Sequence, residues 1–128
     1  MTNVAKKKII IVDDDRFLLD MYAVKFNESG FEIEPMAEGA GVLSKLKDGY
    51  VPDAILMDVV MPSMDGFELL EKIKKENLAP NAKMIILSNL GQASDIAKGK
   101  ELGADGYIVK ANATPSEVVK QVQEIIGI

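Results

Sequence analysis

Four apolar runs in this chain each end on a residue able to carry charge or donate a proton. Ile9-Ile10-Ile11-Val12 leads into Asp13-Asp14-Asp15, Ala54-Ile55-Leu56-Met57 into Asp58, Met84-Ile85-Ile86-Leu87 into Ser88, and Tyr107-Ile108-Val109 into Lys110. Continuous apolar runs of this length read as parallel strands buried on both faces, and in open α/β sheets the chemistry gathers beyond the carboxyl ends of such strands. The four ends would therefore deliver Asp, Asp, Ser and Lys to one pocket. Clustered carboxylates repel one another unless something positive sits between them. An all-oxygen set with no His or Cys suits a hard cation, Mg²⁺ first and Mn²⁺ as its surrogate, and argues against zinc. Such a cation readies the pocket for phosphate, Lys110 adds a second positive charge, and Ser88 adds a hydroxyl. An Asp nucleophile in that setting meets the needs of phosphoryl transfer to a carboxylate, which depends mostly on positioning and charge stabilisation.

The residues that must position this pocket alternate strand-like and helix-like segments, the pattern of right-handed βαβ units in an α/β fold. The reading predicts a five-stranded parallel sheet, with strands near Lys8–Asp13, Phe31–Pro35, Asp53–Asp58, Lys83–Ser88 and Gly106–Val109, and five helices on its two faces. The first helix, near Arg16–Ser29, sets Phe17, Leu18, Met21, Tyr22 and Phe26 toward one face, with Asp15 as its cap and Gly30 as its stop. The second, Gly39–Asp48, buries Val42, Leu43 and Leu46. The third, Gly66–Glu76, buries Phe67, Leu69, Leu70 and Ile73. The fourth, Ala93–Leu102, offers only Ile96, Ala97 and Leu102 and contains Gly99, so it is expected to be the loosest. Thr114-Pro115-Ser116-Glu117 opens the last helix with a capping box, followed by an apolar stripe of Val118, Val119, Val122, Ile125 and Ile126.

Composition narrows the function further. At 128 residues the chain fits one domain, and 48% apolar with 27% charged residues is ordinary globular usage. A formal charge of −5 leaves no basic footprint for nucleic acid, so no direct nucleic-acid contact is expected; Lys6-Lys7-Lys8 is the one lysine run. Cysteine is absent, which removes disulfides and thiolate chemistry and sits well with a reducing compartment. Nothing resembles a signal peptide or a membrane span, so a cytoplasmic protein without membrane insertion is the expectation. Histidine is absent too, so any phosphohistidine donor must be another molecule.

The order Asp-Asp, then Asp within Met57-Asp58-Val59-Val60-Met61-Pro62-Ser63-Met64-Asp65-Gly66, then Ser, then Lys resembles the receiver domain of bacterial two-component response regulators, over essentially the whole chain. The resemblance implies a flavodoxin-like, doubly wound (βα)5 fold with strand order 2-1-3-4-5, and a single receiver domain over 1–128 without an output domain. It implies that Asp58 takes a phosphoryl group from a sensor histidine kinase or a histidine phosphotransfer protein. Asp14 would bind Mg²⁺ directly and Asp13 mostly through water, with Asp58 and the backbone carbonyl of Val60 completing the protein ligands. Ser88 would follow the phosphate, Lys110 would pair with it, and Tyr107 would swing inward. The surface of the fourth helix, fifth strand and fifth helix would then change, to control a separate effector protein or to pair two copies. Such a chain is a phosphorelay switch with self-catalysed phosphorylation and dephosphorylation, not a metabolic enzyme.

Three positions depart from the family's common pattern. Ala111 follows Lys110 where a cis-proline is frequent, and a non-proline cis bond, costing about 2.5–4 kcal/mol, is not expected. Ser88 stands where Thr is frequent. Asn89 stands where a small residue is frequent, which would crowd the phosphate and obstruct attacking water.

Other readings compete. Asp15 is best read as a helix cap, Asp65-Gly66 as a turn and helix start, and Met57, Met61, Met64 and Met84 as core and loop filler. Tyr107 is open between switch and plain packing. Asp13-Asp14-Asp15 contains an Asp-x-Asp that resembles the haloacid dehalogenase hydrolases, with Asp13 as nucleophile, although Phe17 replaces their usual Thr or Val and a late acidic pair is missing. A flavodoxin-type binding module would share the architecture, but its first loop would be rich in Gly, Ser and Thr and not acidic.

Overall fold

The computed structural model describes residues 6–128; the first five, which the domain assignment of 1–128 takes in, lie outside them. Five strands and five helices alternate: β1 Lys8–Val12, α1 Arg16–Glu28, β2 Glu32–Met36, α2 Gly39–Lys47, β3 Ala54–Met57, α3 Gly66–Lys75, β4 Lys83–Ser88, α4 Ala93–Glu101, β5 Gly106–Val109 and α5 Pro115–Ile126. All strand pairs are parallel, in the order β2-β1-β3-β4-β5. The register sets Val12 beside Met57 and Met57 beside Ile86, so the residues just past β1 and β3 emerge next to each other.

The strand alternation divides the core in two. Ile10, Val12, Ile55, Met57, Met84 and Ile86 pack with Val42 and Leu46 of α2 and with Phe67, Leu69, Leu70 and Ile73 of α3. Ile9, Ile11, Ala54, Leu56, Ile85, Leu87 and Ile108 pack with Leu19, Tyr22 and Phe26 of α1 and with Val118, Val119 and Val122 of α5. The central strands are apolar on both faces because helices cover both, while β2 lies at an edge and tolerates Pro35, whose missing N–H is not required there. No helix among the described residues is long and apolar enough to cross a membrane.

Two packing faces differ from the sequence expectation. In α1, Leu19 is buried with Tyr22 and Phe26, at 5% exposure, whereas Phe17, in the first turn beyond the Asp15 cap, is 78% exposed. In α4, Ile96 and Ala97 face solvent and only Gly99 is buried. That helix approaches the sheet by its bare backbone, not by an apolar stripe. The chain after β5 also tightens into a short 3₁₀ turn, Lys110–Asn112, before α5 begins.

The helix starts are fixed by acids and hydroxyls outside the chemistry. Asp15 accepts from the N–H groups of Phe17 and Leu18 at 3.1 and 3.2 Å. Asp65 and Glu68 form a reciprocal box at α3, and Thr114 and Glu117 another at α5. Between β3 and α3 the loop passes through Ser63 at φ 68°, a left-handed conformation that a side chain penalises. Ser63→Gly is therefore expected to stabilise the domain by about 0.5–1 kcal/mol, the relief being partly offset by glycine's larger unfolded-state entropy. Thermal unfolding of the variant checks this, and a lowered midpoint would refute the strain.

Candidate functional site

The carboxyl ends of β1, β3, β4 and β5 bring Asp13, Asp58, Ser88 and Lys110 together, as their spacing in the sequence predicts. Asp13 and Asp58 are 2% and 8% exposed, and Ser88 is fully buried. The Lys110 ammonium donates to Asp13 Oδ2 at 2.5 Å and to Asp58 Oδ2 at 3.3 Å. Asp14 is exposed, yet carboxylate oxygens of Asp13, Asp14 and Asp58 all lie within 4.8 Å of one another. Two buried carboxylates and a third at the rim, facing one lysine, leave the pocket short of positive charge. An all-oxygen set of this kind fits a hard divalent cation. Val60 follows Asp58 by two residues, with its side chain 60% exposed.

Backbone groups fix each carboxylate. Asp13 Oδ1 accepts from the N–H of Asp15 at 2.9 Å, and Asp58 Oδ1 accepts from the N–H of Val59 at 2.8 Å. The Asp58 N–H donates to the Val12 carbonyl at 3.0 Å, continuing the β1–β3 ladder to its last rung. Behind Asp58, a Cβ on Gly66 would stand 2.1 Å from the Asp58 carbonyl oxygen, so only glycine allows the start of α3 to lie this close. The role of Gly66 was thus larger than the turn read from Asp65-Gly66: it sets the backbone against which Asp58 rests.

Burial raises the Asp58 carboxyl above its usual range; the Lys110 ammonium and Ser88 hydroxyl work against that rise, and Asp13 adds to it. Burial alone would lower the Lys110 ammonium, but its hydrogen bonds and charge interactions with Asp13 and Asp58 outweigh this and hold it above its ordinary value. Lys110 is thus held in its charged form, while burial works against charge on Asp58.

Around this centre, Ser88 Oγ accepts from the Leu90 N–H at 3.2 Å, and the Tyr107 hydroxyl donates to the Leu90 carbonyl. Tyr107 is turned toward the domain body and packs against the α2–α3 side of the core. Asn89 is exposed and, with Lys110, lines a groove of 410 Å³ whose other wall includes Leu18, Met21 and Tyr22. These α1 residues pack on the core, as their spacing predicts, and in addition they wall a groove that the spacing does not announce. The i, i+3, i+4 spacing of Leu18, Met21 and Tyr22 marks the stripe, but only the fold reveals that this stripe reaches the Lys110 turn. No cis peptide bond occurs among the described residues, including that between Lys110 and Ala111, in agreement with expectation.

Known proteins give the same arrangement a family. The model of the response regulator receiver domain matches residues 9–123. The chain belongs to the response regulator receiver family. It is 32% identical over 117 residues to the regulatory protein VanRc of Enterococcus gallinarum, covering 91% of this chain and 48% of that protein. It is 33% identical over 120 residues to the chemotaxis protein CheY of Thermotoga maritima, covering 93% of this chain and 97% of that one. Among solved structures, a CheY-like receiver from Methanospirillum hungatei superposes with a TM-score of 0.86 at 31% identity, covering 96% of this chain and 95% of its own. The receiver spans about half the length of the first curated relatives it matches. Receivers are signalling components of two-component systems and not metabolic enzymes, and the acidic cluster here fits the family's Mg²⁺ site. Family membership removes the hydrolase and flavin-module readings.

Linkage turns the raised Asp58 carboxyl into a stability test. A group whose folded-state pKa is raised contributes stability below its unfolded value and loses that contribution as pH rises through the folded value. Near neutral pH the ionised Asp58 therefore weighs against folding of the metal-free receiver. Asp58→Asn is expected to raise the metal-free thermal midpoint near neutral pH, with the gain shrinking as the pH falls toward the ordinary carboxyl range. Added Mg²⁺ should stabilise the native receiver much more than the variant. Equal midpoints at both pH values would show that Asp58 carries no electrostatic burden.

Proposed function

We propose that this receiver takes a phosphoryl group onto Asp58 from a phosphohistidine on a sensor kinase or phosphotransfer protein, and reports it to a separate effector by a change of surface. The observation that carries the reading is the geometry at Asp58: a buried carboxylate, held by one backbone N–H, with the Lys110 ammonium at 3.3 Å and two further carboxylates beside it. Residues 1–128 contain no histidine, so the donor histidine lies outside this domain.

In the reaction, a carboxylate oxygen of Asp58 attacks phosphorus, forming the acyl-phosphate P–O bond. The P–N bond to the donor imidazole breaks, and its electron pair stays on the imidazole nitrogen, which then takes a proton from solvent. Asp13, Asp14, Asp58 and the Val60 carbonyl are the residues that would hold Mg²⁺, with Mn²⁺ as a substitute. The bound cation supplies charge neutralisation that lets a dianion approach three acids. Lys110 supplies the protein's own positive charge to the arriving phosphoryl oxygens, and Ser88 offers its hydroxyl. Lys110 already reaches both Asp13 and Asp58, so a phosphoryl group on Asp58 would draw it away from Asp13 and loosen the β1–β5 tie. Tyr107 and Leu90 lie on the route by which that change would reach the surface of α4, β5 and α5. This surface is the site assigned to the effector, or to a second copy of the chain.

The residues from 1 to 128 are read as a single receiver that acts in the cytoplasm, without contact of its own to nucleic acid. Half-buried Leu18 and Met21, with exposed Asn89 beside them, give the donor protein a partly apolar approach to the pocket edge.

Two measurements test the reading. Incubation with Mg²⁺ and acetyl phosphate, followed by intact mass and peptide mapping, should add one phosphoryl group at Asp58, and Asp58→Asn should abolish it. Labelling at Asp13, or undiminished labelling of the variant, would reject the assignment. Asn89 stands exposed next to the pocket, where it obstructs attacking water, so Asn89→Ala is expected to shorten the lifetime of the acyl phosphate about 3-fold or more, each tenfold in rate corresponding to ~1.4 kcal/mol. An unchanged decay rate would remove Asn89 from the control of access.

A further inference from the structure

We infer that Gly99 is a positioning residue: its missing side chain forms the slot that holds the Tyr107 ring in place, and through that ring it sets how firmly Leu90 and Ser88 are held at the phosphoacceptor pocket. Of the nine residues of α4, Gly99 alone is buried, while Ile96 is 40% exposed. A Cβ built on Gly99 would stand 3.0 Å from Tyr107 Cδ2, 3.3 Å from Cε2 and 3.6 Å from Phe67 Cε1. The ring therefore rests on bare helix backbone, with Phe67 as the neighbouring wall and the Lys98 ammonium 5.0 Å from the centre of the Phe67 ring. Helix propensity points the other way, since glycine weakens a helix interior relative to alanine. The position is occupied by a poor helix former where an aromatic ring needs the space.

The far end of the ring makes the slot functional. Tyr107 donates its hydroxyl hydrogen to the carbonyl of Leu90, and the N–H of the same residue donates to Ser88 Oγ at 3.2 Å. One peptide segment is thus gripped from both sides, by the switch hydroxyl and by the tyrosine. Gly99 fixes the near edge of the ring, so a methyl there obliges the ring to give by a few tenths of an ångström and weakens its hold on Leu90, shifting the grip on the β4–α4 loop toward Ser88. Occupancy of the slot also ties α4 to the body of the domain, because no other residue of that helix is buried against it.

The consequence for phosphorylation rests on Asp58 as acceptor; the slot itself rests only on the Gly99–Tyr107 geometry. The test is Gly99→Ala, read by NMR of ring-labelled tyrosine and by titration of the full chain with beryllium fluoride and Mg²⁺. Tyr22, Tyr50 and Tyr107 give three resonances, assigned with Tyr107→Phe. The Tyr107 resonance should move while those of Tyr22 and Tyr50 stay, and beryllofluoride affinity should fall about 5-fold or more, the low end of a coupling between sites. In a Tyr107→Ala background the same glycine change should cost no further affinity. If Gly99→Ala fails to fold, the double variant, which vacates the slot, should recover the fold, and its failure to do so would overturn the slot. An unmoved Tyr107 resonance with unchanged affinity would overturn it as well. Should the native receiver bind no beryllofluoride, the acceptor reading would fall, while a Tyr107 resonance moved by Gly99→Ala would still support the slot.

Discussion

A single lysine ammonium shared between two buried carboxylates holds the carboxyl ends of three strands in register. Lys110 extends from the end of β5 to Asp13 after β1 and Asp58 after β3, with all three side chains at most 10% exposed. Two unit charges about 4 Å apart attract by roughly 4 kcal/mol at an effective dielectric near 20. Lys110 gains two such attractions at 2.5 and 3.3 Å, against one repulsion between the carboxylates at a longer reach. Desolvation costs about several kcal/mol per buried ion and cancels much of the gain. The triad is therefore close to neutral for folding and strongly poised for charge. It keeps its members aligned, with three acids gathered around one lysine, an excess of acidic groups that a cation would offset.

The surrounding scaffold exists to hold that triad at short range. Two-sided burial makes the strands rigid and parallel, so residues one position past their ends fall together without loops having to fold around them. Gly66 then lets the start of α3 press against the Asp58 carbonyl, closing the back of the pocket with backbone and not with a mobile side chain. The division of labour among the acids follows. Asp15 and Asp65 are committed to the N–H groups of α1 and α3 and are not free to bind metal, whereas Asp13, Asp14 and Asp58 point their oxygens at one another. A run of three aspartates thus divides between cap and ligand, decided by which one the helix start needs.

Much of this was legible in the sequence because it depends on local order. Apolar runs ending in Asp, Asp, Ser and Lys define the strands, and a parallel sheet with short helical crossovers leaves few ways to arrange them. The capping box at Thr114 was equally plain, being encoded within four residues, whereas Asp65 was legible only as a turn and helix start and its box with Glu68 came from the structure. What escaped were properties of faces, not of elements. Phe17 and Leu19 differ by two positions on a helix whose entry angle is set by Asp15, and no periodicity says which of them meets the sheet. Of the three apolar residues read for α4, Leu102 packs against the core just past the helix end, whereas Ile96 and Ala97 are exposed and within the helix only Gly99 is buried. A glycine contributes nothing to a hydrophobic pattern, so a helix that docks by its backbone cannot be oriented from side-chain periodicity. The groove beside Lys110 was hidden for the same reason: Leu18, Met21 and Tyr22 belong to a sequence stripe that is core at one end and surface at the other.

The mode of attachment of α4 explains how a small event at Asp58 could reach the surface. A helix anchored by an apolar stripe loses roughly 25 cal/mol for each Å² of apolar area uncovered when it shifts, and buried Leu or Ile side chains raise that total by about 1.5–3 kcal/mol apiece. Here Ile96 and Ala97 are already exposed, so displacing the helix uncovers chiefly the face of Tyr107, the backbone at Gly99 and the partly buried Leu102 at its C-terminal end. Against that low resistance stands the change at the pocket, where redirecting Lys110 from one carboxylate alters charge interactions of similar or larger size. The stiff parts of the domain, the sheet with α1, α3 and α5, have deep apolar contacts and do not yield. On the proposed function, energy released at the strand ends would be expressed where the cost of motion is least, at the helix whose only buried residue is a glycine.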